Sequence, residues 1–259
     1  MRLPKLSTPD LGRFKNFFLP LFWDAADTGL IASLSQLITQ RVGPGTHFAD
    51  NFLSWSRSNS MLDDEAFVQS WTANAESDSD RAIVWRRFIL ATAAFHCVQI
   101  AGDFVECGCY TGVGVKTVID YLGGVDFPKN FWAYDLFEHL PDSVNHSMPQ
   151  HSSDLYDKVN AKFSAYPQVK IRRGLIPDVF AQGMPEKISY LHIDLNQAPA
   201  EIAALEALFD KVVPGGIIIF DDYEWAGYRP QKLAEDPWLD ARGYRVMPLP
   251  TGQGLVFKR

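Results

Sequence analysis

Cysteine is scarce. Cys97, Cys107 and Cys109 are an odd, small set without paired-ligand spacing, which argues against a disulfide framework or a zinc site and fits a reducing compartment. Cys107-Gly108-Cys109 reads as core and loop packing rather than redox chemistry. A basic excess is also missing: the formal net charge is −7, so no general positive field exists to hold a polyanion, and nucleic acid is not an expected partner. Near the N-terminus the apolar run Phe17-Phe18-Leu19-Pro20-Leu21-Phe22-Trp23 is too brief to span a bilayer, is broken by proline and lacks a small-residue cleavage pattern. A soluble cytoplasmic protein without a membrane partner is therefore expected. There is no internal repeat and no low-complexity tract.

What remains is a 259-residue chain that is 47% hydrophobic, enough for one large α/β domain or a domain with a sizeable extension. Its organising stretch runs from Gly102 to Gly114. A short apolar run, Phe104-Val105, meets Glu106 and then a loop with glycines at 108, 112 and 114, before an apolar-periodic segment from Val115. That order reads as strand, tight turn and helix. Glycines there let the backbone approach a ligand, and the free N–H groups of the following helix favour an anionic or polar group. A plain turn between strand and helix explains the same glycines equally well.

Residues 1–80 are expected to form a helical N-terminal extension, with helical spacing over Leu30 to Ile38 and Met61 to Trp71 and with Asp63, Asp64 and Glu65 suited to a helix start. His47-Phe48 and Phe52-Leu53-Ser54-Trp55 add aromatic surface. A lid and a subunit contact, hence a homo-oligomer, are open readings; packing against the main domain is the simpler one. Ser77 to Asp80 supplies N-cap candidates for a helix over Ile83 to Val98. The main domain, residues 81–259, then alternates strands at Phe104, Asn130 to Tyr134, Val169 to Arg172, Ile188 to Ile193 and Ile217 to Phe220 with helices at Val115 to Leu122, Leu155 to Tyr166 and Pro199 to Leu208. Continuous apolar strands between helices imply a parallel sheet covered on both faces. The polar stretch Pro141 to Ser153, with His146 and His151, reads as a loop, and Pro214-Gly215-Gly216 as a turn. Two closely linked strands at Tyr244 to Met247 and Gly254 to Phe257 predict an antiparallel strand at the sheet edge.

Strand ends carry the chemistry. In an open α/β sheet the ligand lies beyond the C-terminal strand ends, and here four strands end in acid: Glu106, Asp135, Asp194 and Asp221-Asp222. Several carboxylates on one rim repel each other unless a cation or hydrogen-bond donors compensate. Asp135, 29 positions after Glu106, stands near the spacing of an acid that accepts from ribose hydroxyls. Asp194, Asp221 and Asp222 are hard oxygen ligands suited to Mg2+. Capping of turns and helices is the competing explanation for each aspartate singly.

Together Gly102-Asp103-Phe104-Val105-Glu106-Cys107-Gly108, Tyr134-Asp135-Leu136-Phe137-Glu138-His139-Leu140-Pro141, Leu191-His192-Ile193-Asp194 and Pro214-Gly215-Gly216 through Asp221-Asp222-Tyr223 resemble the macrocin O-methyltransferase-like (TylF-like) family. The resemblance covers about residues 80–259. It implies a Rossmann-like class I methyltransferase fold, with a mostly parallel seven-stranded sheet, an antiparallel C-terminal strand and helices on both faces. It further implies S-adenosylmethionine-dependent methylation of a hydroxyl on a sugar or natural product. Glu106, Gly108, Tyr110 and Gly112 would hold the methionine end of the cofactor, Asp135 the ribose, and Gly174 would lie near the adenine. Mg2+ would sit on Asp194, Asp221 and Asp222. A mechanism consistent with this has Asp194 take the acceptor's proton as catalytic base, with His192 in reserve, although a histidine inside a strand is more often a hydrogen-bonded core residue. The chain departs from the family pattern at Asn196-Gln197-Ala198, where many relatives carry a second aspartate and a tyrosine. Tyr223, Trp225 and Tyr228 either flank an acceptor or pack the loop.

Two other readings stand beside this one. A nicotinamide-dependent oxidoreductase shares the strand, glycine turn and distal acid, but the loop reads Gly-x-x-x-Gly and not the Gly-x-Gly-x-x-Gly needed for close pyrophosphate approach. A non-catalytic nucleoside-binding module would keep the pocket without turnover.

Overall fold

The computed structural model describes residues 3–5, 15–19, 21, 23, 27–41, 45–140 and 147–259; His146 and parts of the N-terminal apolar run lie outside them. The N-terminal part contains β1 (Phe17–Phe18), α1 (Thr28–Arg41), β2 (His47–Ala49), β3 (Phe52–Ser54), α2 (Glu65–Asn74) and α3 (Asp78–Ala82). Strand β1 pairs parallel with β2, and β2 pairs antiparallel with β3 through a two-residue turn, Asp50 and Asn51. Both turn residues have left-handed φ, 50° and 58°, which matches the twist of a tight hairpin. The expected helical extension thus also holds a small sheet. His47 and Phe48, expected as aromatic surface, are buried in it, while Trp55 is exposed.

The main sheet follows from α4 (Val84–Cys97) onward: β4 (Asp103–Cys107), α5 (Val113–Tyr121), β5 (Phe131–Asp135), α6 (Leu155–Lys162), β6 (Val169–Arg173), β7 (Ile188–Ile193), α7 (Ala198–Leu208), β8 (Val212–Phe220), α8 (Arg229–Asp240), β9 (Met247–Pro248) and β10 (Gly254–Phe257). Strand order is β6-β5-β4-β7-β8-β10-β9. The first five are parallel, and β10 is antiparallel to both β8 and β9. The C-terminal strand therefore lies inside the sheet, and the edge belongs to the two residues of β9. Pro214-Gly215-Gly216 is no turn between elements: it lies within β8, where the register with β7 passes from Ile188↔Val212 to Tyr190↔Ile217. One residue of β7, Ser189, thus faces four of β8, residues 213–216, a bulge taken up in part by Gly215 at φ 85°.

Alternation along the strands sorts side chains to two cores. Phe104, Ala133, Tyr190 and Ile219 pack with α2, α4 and α5, whereas Val105, Tyr134, Leu191 and Ile218 pack with α7 and α8. Met61, Phe67 and Trp71 belong to the first core, so the chain from residue 61 onward is built into the main domain. Among the described residues no helix is long and apolar enough to cross a membrane.

Candidate active site

The same alternation decides where the acids go. Glu106 is two residues beyond Phe104, His192 two beyond Tyr190 and Asp221 two beyond Ile219, so all three fall on the α4 side of the sheet. Strand register places Glu106 beside His192 and His192 beside Ile219. His192, fully buried, has Nδ1 3.3 Å from Glu106 Oε2 and Nε2 3.4 Å from Asp221 Oδ1. Ligating atoms of His192, Asp194 and Asp221 all lie within 4.8 Å of one another. Beyond the strand ends the ladder continues: Gly108 N–H donates to Tyr134 O, Asp194 N–H to Cys107 O and Asp221 N–H to Ile193 O, at 2.7–3.0 Å.

Arg86 was not singled out from the sequence. It projects from the first turn of α4, donates through Nη2 to Asp221 O at 2.8 Å and Asp222 Oδ1 at 2.6 Å, and also bonds Asp221 Oδ2. Its guanidinium lies 5.6 Å from the Trp225 ring centre. A sequence signal existed, because Arg86 shares the buried stripe of α4 with Leu90, Ala93, Ala94 and Cys97. An arginine in such a stripe requires an acidic partner. Gln253, also missed, is buried and donates to Asp221 Oδ1 at 2.9 Å.

These charges set one another's proton affinity. Burial alone would lower the affinity of Arg86, but Asp221 and Asp222 raise it well beyond its ordinary value. His192 follows the same pattern: burial opposes its charge, yet Glu106 and Asp221 push it up to about 10. That direction favours the charged ring and argues against His192 as the base. Burial would raise Asp221, but Arg86 and His192 hold it far below an ordinary aspartate. Asp194 goes the other way, pushed well above the ordinary value by burial and then by Asp221 and Asp222. Among the described residues no donor is bonded to its carboxylate. His192 and Arg86 oppose that shift without cancelling it, so the ionised form of Asp194 is the one a cation would favour.

The glycine loop lies beside this cluster. Gly108 has φ 88°, and a Cβ there would meet Asp194 O at 1.8 Å, so contact between strand ends already demands glycine. Tyr110, at φ 49°, donates its N–H to Asp135 Oδ2 at 2.7 Å, Phe137 N–H donates to Asp135 Oδ1 at 2.6 Å, and Gly174 N–H donates to Asp135 O at 3.0 Å. Gly112, at φ 75°, precedes α5. The structure thus brings Gly108, Tyr110, Asp135 and Gly174 together, with Glu106 next in line. Asp135 oxygens retain further acceptor capacity, and the first turn of α5 has N–H groups without helical partners. That donor set fits a nucleoside with an amino-acid tail.

Asp222 is held by Arg86 and stands outside the 4.8 Å group. Tyr223 is buried with its hydroxyl on Asp236 Oδ1 of α8 at 2.5 Å, so it packs the loop. Clefts of about 410 Å³ at Asp103 and Lys129, and about 470 Å³ between Thr111 and Lys162, contain none of the clustered acids. Converging charged groups, and not void volume, locate the site.

A family model described as Macrocin-O-methyltransferase (TylF) matches residues 86–235, more than half of the chain. A relative from Streptomyces olivaceus, 8-demethyl-8-(2,3-dimethoxy-alpha-L-rhamnosyl)-tetracenomycin-C 4'-O-methyltransferase, is 23% identical over 193 residues, 61% of this chain and 73% of that one. The fold is similar to that of the O-methyltransferase NovP, with a TM-score of 0.60 at 19% identity over 76% of this chain and 89% of that one. It is also similar to the calicheamicin methyltransferase CalS11, with TM-score 0.53 and 14% identity over 76% and 92% of the two chains. SAH-bound PaMTH1 of Podospora anserina gives 0.51 at 12% identity over 92% and 100%. The nicotinamide reading falls with these matches. The chain belongs to the TylF macrocin O-methyltransferase family and is an S-adenosylmethionine-dependent O-methyltransferase.

Proposed function

We propose that the acceptor is a hydroxyl of a small molecule, a sugar or another natural-product moiety, and that Mg2+ assists the transfer. The observation that carries this reading is the convergence of Asp194 with Asp221 and His192 at 4.8 Å or less, beside a loop built around Asp135. Relatives point the same way: one is named for a rhamnosyl tetracenomycin, and CalS11 is described as a TDP-rhamnose 3'-O-methyltransferase. Asp194 and Asp221, with Asp222 once Arg86 shares it, would hold the divalent ion. When bound, S-adenosylmethionine supplies a methyl group already activated on a sulfonium, and the ion supplies charge that lowers the pKa of a hydroxyl.

The chain's own residues then have to align one oxygen and take one proton. Asp194 takes the proton: it ends β7 within the 4.8 Å group, and among the described residues no donor is bonded to its carboxylate. Asp221, Arg86 and His192 keep the rim charged and fixed. Asn196, two residues after Asp194 and at φ 58°, has a shielded Oδ1 without a hydrogen-bond partner.

The test is transfer of labelled methyl from S-adenosylmethionine to TDP-rhamnose and to rhamnosylated aromatic polyketides. Asp194→Asn should lower transfer about 100- to 10,000-fold, with S-adenosylhomocysteine affinity by calorimetry nearly unchanged. Full activity in that variant, or activity indifferent to thorough chelation, refutes the metal-assisted scheme.

A further inference from the structure

We infer that Asp50, in the hairpin turn between β2 and β3, is a positioning residue for the transfer site and acts through Arg86. The inference rests on the proposed reading of Asp194, Asp221 and Asp222 as the reacting rim. Helix α4 begins after Ile83, which has no side chain able to cap it, and no residue of its own segment supplies a cap. Asp50 does so from 35 and 36 positions away: Oδ2 accepts from Trp85 N–H at 3.1 Å and Oδ1 from Arg86 N–H at 3.0 Å. These are the second and third amides of the helix, the pair an N-cap side chain normally serves. The carboxylate also meets the positive end of the helix dipole.

The cap is locked from behind. Asp50 N–H donates to Ala82 O at 2.7 Å, His47 Nε2 lies 2.9 Å from Asp50 Oδ2, and Asp50 is only 2% exposed. The amide it holds belongs to the residue whose guanidinium ties Asp221 to Asp222. One bonded path therefore runs from the hairpin to the rim: Asp50 carboxylate, Arg86 backbone, Arg86 guanidinium, Asp221 and Asp222. Asn51, the other turn residue, accepts Trp23 N–H at 2.9 Å, and the Trp23 ring meets Trp225 edge-on at 6.2 Å. The small N-terminal sheet is thus a buttress of the site and not an appendage to it.

The test uses the full chain with Asp50→Ala, Asp50→Ser, Arg86→Gln and the double variant Asp50→Ala/Arg86→Gln. The first readout is the set of Arg86 guanidinium N–H resonances by NMR, assigned by their loss in Arg86→Gln. The expected result is that Asp50→Ala broadens or shifts them while S-adenosylhomocysteine affinity stays within about twofold, and that Asp50→Ser, a shorter cap, retains them in part. The second readout is affinity for Mn2+ alone. Asp50→Ala should move it in the same direction as Arg86→Gln, and the double variant should match Arg86→Gln within about twofold. Unchanged Arg86 resonances in both Asp50 variants overturn the inference, as do multiplicative effects on Mn2+ affinity. If Arg86→Gln leaves Mn2+ affinity unaltered, it is the metal reading that fails, and the resonances still judge Asp50.

Discussion

Arg86 and a divalent ion are two ways of neutralising the same carboxylates, so removing the first should strengthen the second. The Arg86 side chain is 9% exposed, and those of Asp221 and Asp222 are 14% and 10%. Breaking one partner of such a nearly buried pair costs about 3–5 kcal/mol. A point-charge figure of about 4 kcal/mol at roughly 4 Å, with an effective dielectric of about 20, agrees. For a chain of this size that loss is a fall in Tm of roughly 10 °C. Arg86→Gln in EDTA should show it. An ion bound at about 100 times its Kd returns about 2.7 kcal/mol, so millimolar MgCl2 should restore most of the loss, whereas NaCl at matched ionic strength should not. Wild-type Tm should respond less, and Mn2+ titrated calorimetrically should bind the variant more tightly. An Arg86→Gln protein destabilised equally with and without Mg2+, and no better at binding Mn2+, would show that the guanidinium and the ion do not share Asp221 and Asp222.

Gly108→Ala brings a methyl to 1.8 Å from Asp194 O at a left-handed φ. Backbone strain alone costs about 1–3 kcal/mol, so lowered Tm and lost transfer are expected; an unaltered melt would contradict the packing. Asp135→Asn keeps the side-chain size but replaces one amide acceptor with a donor, and S-adenosylhomocysteine affinity should drop about tenfold. Equal affinity in calorimetry would remove Asp135 from the nucleoside site. Glu201 is held well above its ordinary value of 4.5 by burial and by Glu235, and burial also raises Glu235. The folded state therefore keeps a proton that the unfolded chain releases, and stability falls as pH rises through and above 4.5. Glu235→Gln, whose amide can donate to Glu201, should flatten that fall; identical slopes in urea melts from pH 5 to 8 would count against a shared proton.

Strands β4, β5, β7 and β8 and the acids that end them were legible because a buried parallel strand announces itself as an apolar run and its end as the first charge. Local pattern misled at Pro214-Gly215-Gly216. Proline and two glycines are turn chemistry, but β8 is paired on both sides, to β7 and to β10, and the sheet absorbs the three residues as a bulge. The N-terminal strands, two or three residues each, are too short to carry a period, and only their pairing makes them strands. Arg86 escaped because its partners lie 135 and 136 positions away. Its one local trace was a charge on an apolar stripe, which is a question about a partner and not an answer. Asp50 left even less, since no spacing connects it to a helix that starts more than thirty positions later.

The loop glycines bear on how the rim can exist at all. From the sequence, Gly108 suggested close approach of a ligand; in the fold its missing side chain admits the carbonyl of Asp194. That contact belongs to the lateral bonds that tie Tyr134 to Gly108, Cys107 to Asp194 and Ile193 to Asp221 beyond the strands proper. Backbone bonding therefore sets the spacing of the acids before any side-chain charge is counted. Carboxylates held that close would repel each other, and the chain answers with Arg86 on Asp221 and Asp222 and with His192 between Glu106 and Asp221. Among the described residues no donor is bonded to the Asp194 carboxylate, and His192 and Arg86 reach it only through their charge. At Asp194 burial and the two neighbouring acids outweigh the attraction of His192 and Arg86, and such a rim is a preorganised field aimed at whatever enters beside it. The proton of a bound hydroxyl and the charge of a divalent ion are the two things that would relieve it.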